Sequence, residues 1–175
     1  MLRVAKRLKE TLPLQVRTTL LAAHALPAEY AADRNAFIEL LENELIPAVA
    51  AQGLADHIDV FCETNYFTVA EMRRVLEAGI RHGMRPKVHV NQFTSIGGIQ
   101  AAVGLHALSV DHLEVMEPAD YDALRGATTI PTLLPSCSFF LRIPYAPARA
   151  LIDQGCTVAL ASDHNPGSTP SGNMN

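Results

Sequence analysis

Lys87-Val88-His89-Val90-Asn91-Gln92-Phe93 is a short apolar run that carries a histidine at its end and an amide three residues later. Two later stretches repeat that ending: Val110-Asp111-His112-Leu113-Glu114, and Val158-Ala159-Leu160-Ala161-Ser162-Asp163-His164-Asn165-Pro166-Gly167. Read as three buried strands, they deliver two imidazoles and one carboxylate from three separate strand ends. Strand ends at the carboxyl face of a parallel sheet are where barrel enzymes keep their chemistry, and this donor set suits a hydrolytic metal ion with an open coordination position.

Working outward, each of these runs is separated from the next by a helical pattern. Leu14–Ala25 reads as a strand ending at His24, and Ile38, Leu41, Leu45 and Val49 form the apolar stripe of a helix, with Pro47 breaking or restarting it near its end. Ile58–Glu63 is the next strand. Thr68 and Glu71 make a capping box ahead of Val69, Met72, Leu76 and Ile80, and Gly83 stands where a helix ends. Beyond the His89 strand come a helix over Ile96–His106, the His112 strand, a short helix opened by Pro118, a strand over Thr128–Pro135, a helix over Pro147–Gln154 and a final strand ending at Asp163. Strand-helix alternation of this kind specifies right-handed units and a parallel sheet.

The strand ends at 24, 63, 89, 112, 135 and 163 are about 28 residues apart on average, against about 31 per unit in a complete eight-unit barrel. Six units therefore match an α/β fold of incomplete TIM-like barrel type, a single partial barrel domain over residues 1–175. A doubly wound open sheet fits less well. No Gly-x-Gly-x-x-Gly follows the first strand, and polar residues stand at nearly every strand end instead of at one switch point.

Bulk properties narrow the function classes. A net charge of −4, without an extended Lys or Arg run, gives no footprint for nucleic acid or an anionic membrane, so a small-molecule substrate is expected. Residues 1–10 read as an amphipathic helix instead of a signal peptide, and no stretch approaches the ~18 apolar residues of a membrane span. Cys62, Cys137 and Cys156 lie in apolar runs without CxxC spacing, which points to buried free thiols in a reducing cytoplasm. His57, His82 and His106 read as surface or packing residues on helices or their ends. Glu63 is a candidate for the pocket rim without an evident partner, and Asn165–Gly167 would be turn punctuation in any loop.

Taken together, His89 with Gln92, Val110-Asp111-His112-Leu113-Glu114, and Ser162-Asp163-x-Asn165-Pro166-Gly167-Ser168 resemble the imidazolonepropionase family of the amidohydrolase superfamily. The likeness also takes in Ala23-His24-Ala25-Leu26-Pro27, Phe61-Cys62-Glu63 and Phe93-Thr94-Ser95-Ile96-Gly97-Gly98. It implies a mononuclear zinc or iron hydrolase that opens 4-imidazolone-5-propanoate to N-formimino-L-glutamate in histidine degradation. It further implies His89 and Asp163 as metal ligands, His112 and Asp163 as catalytic residues, and His24, Gln92, Asn165, Gly167 and Ser168 as substrate contacts. The family carries Glu or Gln at the position of Gln92.

The resemblance corresponds to strands 3–8 of an amidohydrolase barrel. The superfamily's His-x-His pair on the first strand has no counterpart in this sequence, so two of the metal ligands, the first two strands and the small β-domain are expected outside it. A chain of this extent is expected to be catalytically impaired in isolation, and a homodimer is compatible with the full-length enzyme. The alternatives are another cyclic amidase or aminohydrolase of the superfamily, or a non-catalytic remnant serving as a binding module.

Overall fold

In the computed structural model, residues 1–174 are described, and they form a single arc of six parallel strands in sequential order. The elements run α1 (Leu2–Thr11), β1 (Thr19–Ala23), a 3-10 turn (Ala28–Tyr30), α2 (Arg34–Leu40), a π-helical turn (Leu41–Leu45), α3 (Ile46–Ala51), β2 (His57–Cys62), α4 (Val69–Arg81), β3 (Arg85–Val90), α5 (Gly98–Gly104), β4 (Ser109–His112), α6 (Pro118–Leu124), β5 (Ile130–Leu133), α7 (Pro135–Leu141), α8 (Ala148–Asp153) and β6 (Ala159–Leu160). Every pairing, from β1·β2 to β5·β6, is parallel and between neighbours in sequence. β1 and β6 do not pair with each other, so the arc stays open. This is the partial α/β barrel that the alternation specified.

The core lies between the outer face of the arc and its helices. Ile58, Val60 and Cys62 on β2, Val88 and Val90 on β3, and Val110 on β4 point that way and are buried against Met72, Val75 and Leu76 of α4 and Ile99 and Ala102 of α5. Two glycines set how closely the helices approach. A Cβ at Gly79 would stand 2.5 Å from Ile58 Cγ2, and one at Gly98 would stand 2.5 Å from Val90 Cγ2 and 3.1 Å from Cys62 Sγ. Any side chain there would push the helix off the sheet. The capping box at Thr68 and Glu71 forms as expected, and Gly83 takes the left-handed conformation just past the end of α4.

The structure departs from the sequence reading in several places. β1 begins at Thr19, not Leu14, because Leu14 is exposed and no strand flanks the segment before it. The helix after β1 passes through a π turn at 41–45 immediately upstream of Pro47, which sits in the first turn of α3, so the irregularity expected at the proline takes the form of a π turn within a continuous helical run. The helix expected over 96–106 is confined to Gly98–Gly104. A helix that the pattern does not signal, α7, follows β5 directly.

Candidate active site

The inner face of the arc carries a charged layer. Strand alternation places Asp59 and Phe61 of β2 beside Lys87 and His89 of β3, and the latter beside Asp111 of β4. Lys87 Nζ donates to Asp111 Oδ2 at 2.9 Å. Burial works against the ammonium, but the Asp111 carboxylate outweighs it and raises the pKa of Lys87. Asp59 is buried and accepts the His89 backbone N–H through Oδ1 at 3.2 Å. Its Oδ2 stands 3.0 Å from His89 Nδ1, a close ion-pair contact at an angle outside hydrogen-bond geometry. Burial lowers the His89 pKa, yet Asp59 first and Asp111 after it overcome this and carry it up to about 9.

Above this layer, at the carboxyl ends of the strands, lies a cavity of about 500 Å³. His24, His89, Gln92, His112, Asp163, Asn165, Gly167 and Ser168 all line it, so the metal-ligand, catalytic and substrate-contact residues that the resemblance implies meet in one place, whereas Glu63, the candidate for the rim, does not line it. The rings of His89 and His112 are 5.4 Å apart, and His24 stacks on Phe61 at 5.3 Å. Partial burial and then the neighbouring His89 lower the pKa of His24, while Asp163 and Asp59 pull it the other way.

Several of these side chains reach the cavity through unusual backbone. By alternation His112 would share the outer, helix-covered face with Val110, opposite Val90. Its φ of +90° turns it into the cavity instead, followed by Leu113 at +70°. Asn91 and Asp163, also at strand ends, have φ of +57° and +51°. Left-handed backbone at non-glycine residues costs on the order of 1–3 kcal/mol each and persists only where the surroundings impose it. For Asn91 the imposing groups are Val115 O and Asp120 Oδ2, both 2.9 Å from its Nδ2. For Asp163 it is the loop that follows. Asn165 Nδ2 donates to Asp163 O at 2.7 Å, Asn165 Oδ1 accepts from Gly167 N and Ser168 N at 2.8 Å each, and the Ser168 hydroxyl donates to Asp163 Oδ2 at 3.3 Å. The Asn165 amide therefore builds the turn that aims Asp163.

Sequence reasoning did not find the partners of these residues. Glu63, which looked unpartnered, is buried and receives Thr64 N, Phe93 N and Thr94 N at 2.7, 2.9 and 3.1 Å, as well as the Thr94 hydroxyl. It ties down the loop after β3 that carries Gln92 and Phe93. Phe61 and Tyr66, whose rings are 4.4 Å apart, form a cavity wall that no motif announced. His57 is not on a helix: it opens β2, at the end of the strand remote from the cavity. Cys62 and Cys137 are buried free thiols, whereas Cys156 is only half-buried.

The donors fit a metal ion. His89 Nδ1 is sealed against Asp59, which leaves Nε2 as the nitrogen available to the cavity that Asp163 also lines. A carboxylate behind the far nitrogen is the usual support of a ligating histidine. Donor atoms of His112, Glu114 and Cys137, and of Asp59, His89 and Asp111, form two further tight groups, each within 4.8 Å, and each shares a histidine with the cavity.

No family model matches the sequence. It is 54% identical over 175 residues to the imidazolonepropionase of Flavobacterium johnsoniae, and 55% identical over the same length to that of Christiangramia forsetii. Each alignment covers 100% of this chain and 43% of the relative, so the chain spans less than half the length of the curated relatives it matches. The imidazolonepropionase of Shouchella clausii is 44% identical over 97% of this chain and 38% of its own length. Among solved structures, a guanine deaminase from C. acetobutylicum superposes with a TM-score of 0.70 at 11% identity, covering 95% of this chain and 44% of that one. A 5-methylcytosine deaminase from Klebsiella pneumoniae gives 0.69 at 14% identity, covering 99% and 46%. At such identities these two establish the barrel fold and nothing more. At 54–55% identity over its whole extent, this chain thus belongs to the imidazolonepropionase family, its sequence laid on an arc of an α/β barrel.

Proposed function

We propose that the chain is the portion of an imidazolonepropionase, corresponding to strands 3–8 of its barrel, that carries the acid-base side of the site and half of the metal site. The whole enzyme would hydrolyse the cyclic amide of 4-imidazolone-5-propanoate to N-formimino-L-glutamate. The observation that carries this reading is the convergence of His24, His89, Gln92, His112 and Asp163, from the ends of four different strands or the loops after them, on one cavity. His89 and Asp163 would hold a zinc or iron ion. Such an ion, when bound, supplies Lewis acidity that makes water nucleophilic near neutral pH.

The remaining work falls to the chain's own side chains. Asp163, steadied by the Ser168 hydroxyl, accepts a proton from the attacking water and passes it to the departing ring nitrogen. His112, backed by the buried carboxylate of Glu114 at 3.6 Å from its Nδ1, faces the negative charge that develops on the carbonyl oxygen. His24, stacked on Phe61, and Gln92 border the ring of the substrate, and Gly167 and Ser168 offer it the mouth of the Asp163 loop. Among the described residues neither Lys nor Arg lines the cavity, so within this chain the propanoate would meet only uncharged donors and histidines.

The test is a chimera in which this chain replaces the matching segment of the Flavobacterium johnsoniae enzyme. The chimera is expected to open imidazolonepropanoate, and His112→Ala within it to lower kcat/KM by at least about 100-fold, the usual scale for losing one oxyanion-stabilising donor. A folded, metal-loaded chimera that leaves imidazolonepropanoate intact but acts on a hydantoin or deaminates a base would replace this reading with another activity of the superfamily. One with no turnover of any of these would make the segment a remnant.

A further inference from the structure

We propose that the buried trio His112, Glu114 and Cys137, beneath the floor of the cavity, is a second cation site selective for a thiophilic divalent ion. The three residues come from β4, the loop after it, and α7, and are 3%, 7% and 0% exposed. Their donor atoms lie within 4.8 Å of one another. His112 Nδ1 and Glu114 Oε2 are sealed from solvent and have no hydrogen-bond partner. Their separation of 3.6 Å is long for a hydrogen bond. Two ligands at ordinary zinc–nitrogen and zinc–oxygen bond lengths, at the tetrahedral angle, stand about 3.4 Å apart, so the pair is nearly spaced as two ligands of one ion.

The surroundings hold the trio in that posture. Ser138 Oγ donates to Glu114 Oε1 at 2.8 Å, which fixes the carboxylate and leaves Oε2 facing the imidazole. The φ of +90° at His112 fixes the ring from the other side. Cys137 supplies the sulfur, and Gln92 Nε2 donates to it at 3.5 Å. Gln92 and His112 both line the cavity, so an ion arriving there reaches the trio by displacing the Gln92 amide, with the Ser168 and Thr169 hydroxyls also beside the Cys137 sulfur. Imidazole, carboxylate and thiolate together select zinc-like ions over magnesium or calcium, which prefer oxygen alone. Binding converts the Cys137 thiol to a thiolate bonded to the ion and releases its proton to solvent, with no change of oxidation state. An ion on Nδ1 fixes His112 with its proton on Nε2. On the role proposed above for His112, that keeps an N–H donor for the carbonyl oxygen, although the existence of the site does not depend on that role.

The test is a titration of the metal-free, reduced chain with cobalt(II), followed by the thiolate-to-cobalt charge-transfer absorption. Wild type is expected to develop that band to saturation at one sulfur-ligated cobalt per chain. Asp163→Ala, which disables the site at His89, is expected to keep it. Glu114→Gln is expected to weaken cobalt binding at least tenfold, and Cys137→Ser to abolish the band, with circular dichroism showing that each variant is folded. Absence of a sulfur band in folded wild type overturns the proposal without recourse to any variant. So does a band that survives in Cys137→Ser, which would place the ion on another thiol, or one that disappears in Asp163→Ala, which would merge the two sites.

Discussion

Glu63→Ala is expected to lower the unfolding free energy by about 3–5 kcal/mol, because it strips a buried carboxylate from three backbone N–H groups and a hydroxyl at once. Hydrogen bonds to a charged group are worth about 1.5–3 kcal/mol each, and donors left unpaired away from water add to the loss. Among the described residues the N–H groups of Thr64, Phe93 and Thr94 have no backbone acceptor besides their bonds to Glu63. Since Phe93 follows Gln92, the damage is aimed at the cavity and not only at the fold. Urea unfolding of wild type and variant checks this. A midpoint shift equivalent to less than about 0.5 kcal/mol would mean that the loop after β3 is held by something other than Glu63.

The second large effect is a pH dependence that resides in the pair Asp59–His89. The folded pKa of His89, about 9, lies above the ordinary value of 6.5. A histidine that holds its proton more tightly when folded stabilises the fold fully below about pH 6.5, and that stabilisation is lost as pH rises through 9. At roughly 1.4 kcal/mol per pH unit, the metal-free chain should lose on the order of 3 kcal/mol between those limits. The groups that set the shift are Asp59 and Asp111, which raise it, and Lys87, which lowers it. In Asp59→Asn burial is left without its opposing carboxylate, so the slope over that window should flatten. Denaturant unfolding in chelator at pH 6 and pH 9.5, for both proteins, measures the difference. Equal slopes would show that Asp59 does not hold the proton on His89.

Much of this site could be read from residue order, for a physical reason. Parallel sheets with crossover helices repeat a local rule, so the runs ending at His24, His89, His112 and Asp163 announced both the arc and the end of it where chemistry gathers. What stayed hidden depends on contacts distant in sequence. Asp59 reaches His89 across 30 residues, Glu63 reaches Thr94 across 31, and Asp120 collects Asn91, Ser95 and Gln100 from 20 to 29 residues away. Nothing local marks such carboxylates as buried. α7 was hidden for another reason: Phe139 and Phe140 are 74% and 49% exposed, so its apolar residues do not form the inward stripe by which a helix is recognised. The inversion at His112 was equally invisible, since period-two alternation places that residue on the opposite face of the sheet.

On the function proposed above, His89 and Asp163 are a preformed half of a metal site within this chain. The most direct test is metal content per chain after dialysis against trace zinc and iron, for wild type and for Asp163→Ala. Wild type is expected to retain one metal ion per chain more than the variant, whatever else either of them holds. Equal retention by the two proteins would contradict it, and would mean that the cavity binds metal only once ligands from outside these 175 residues are in place.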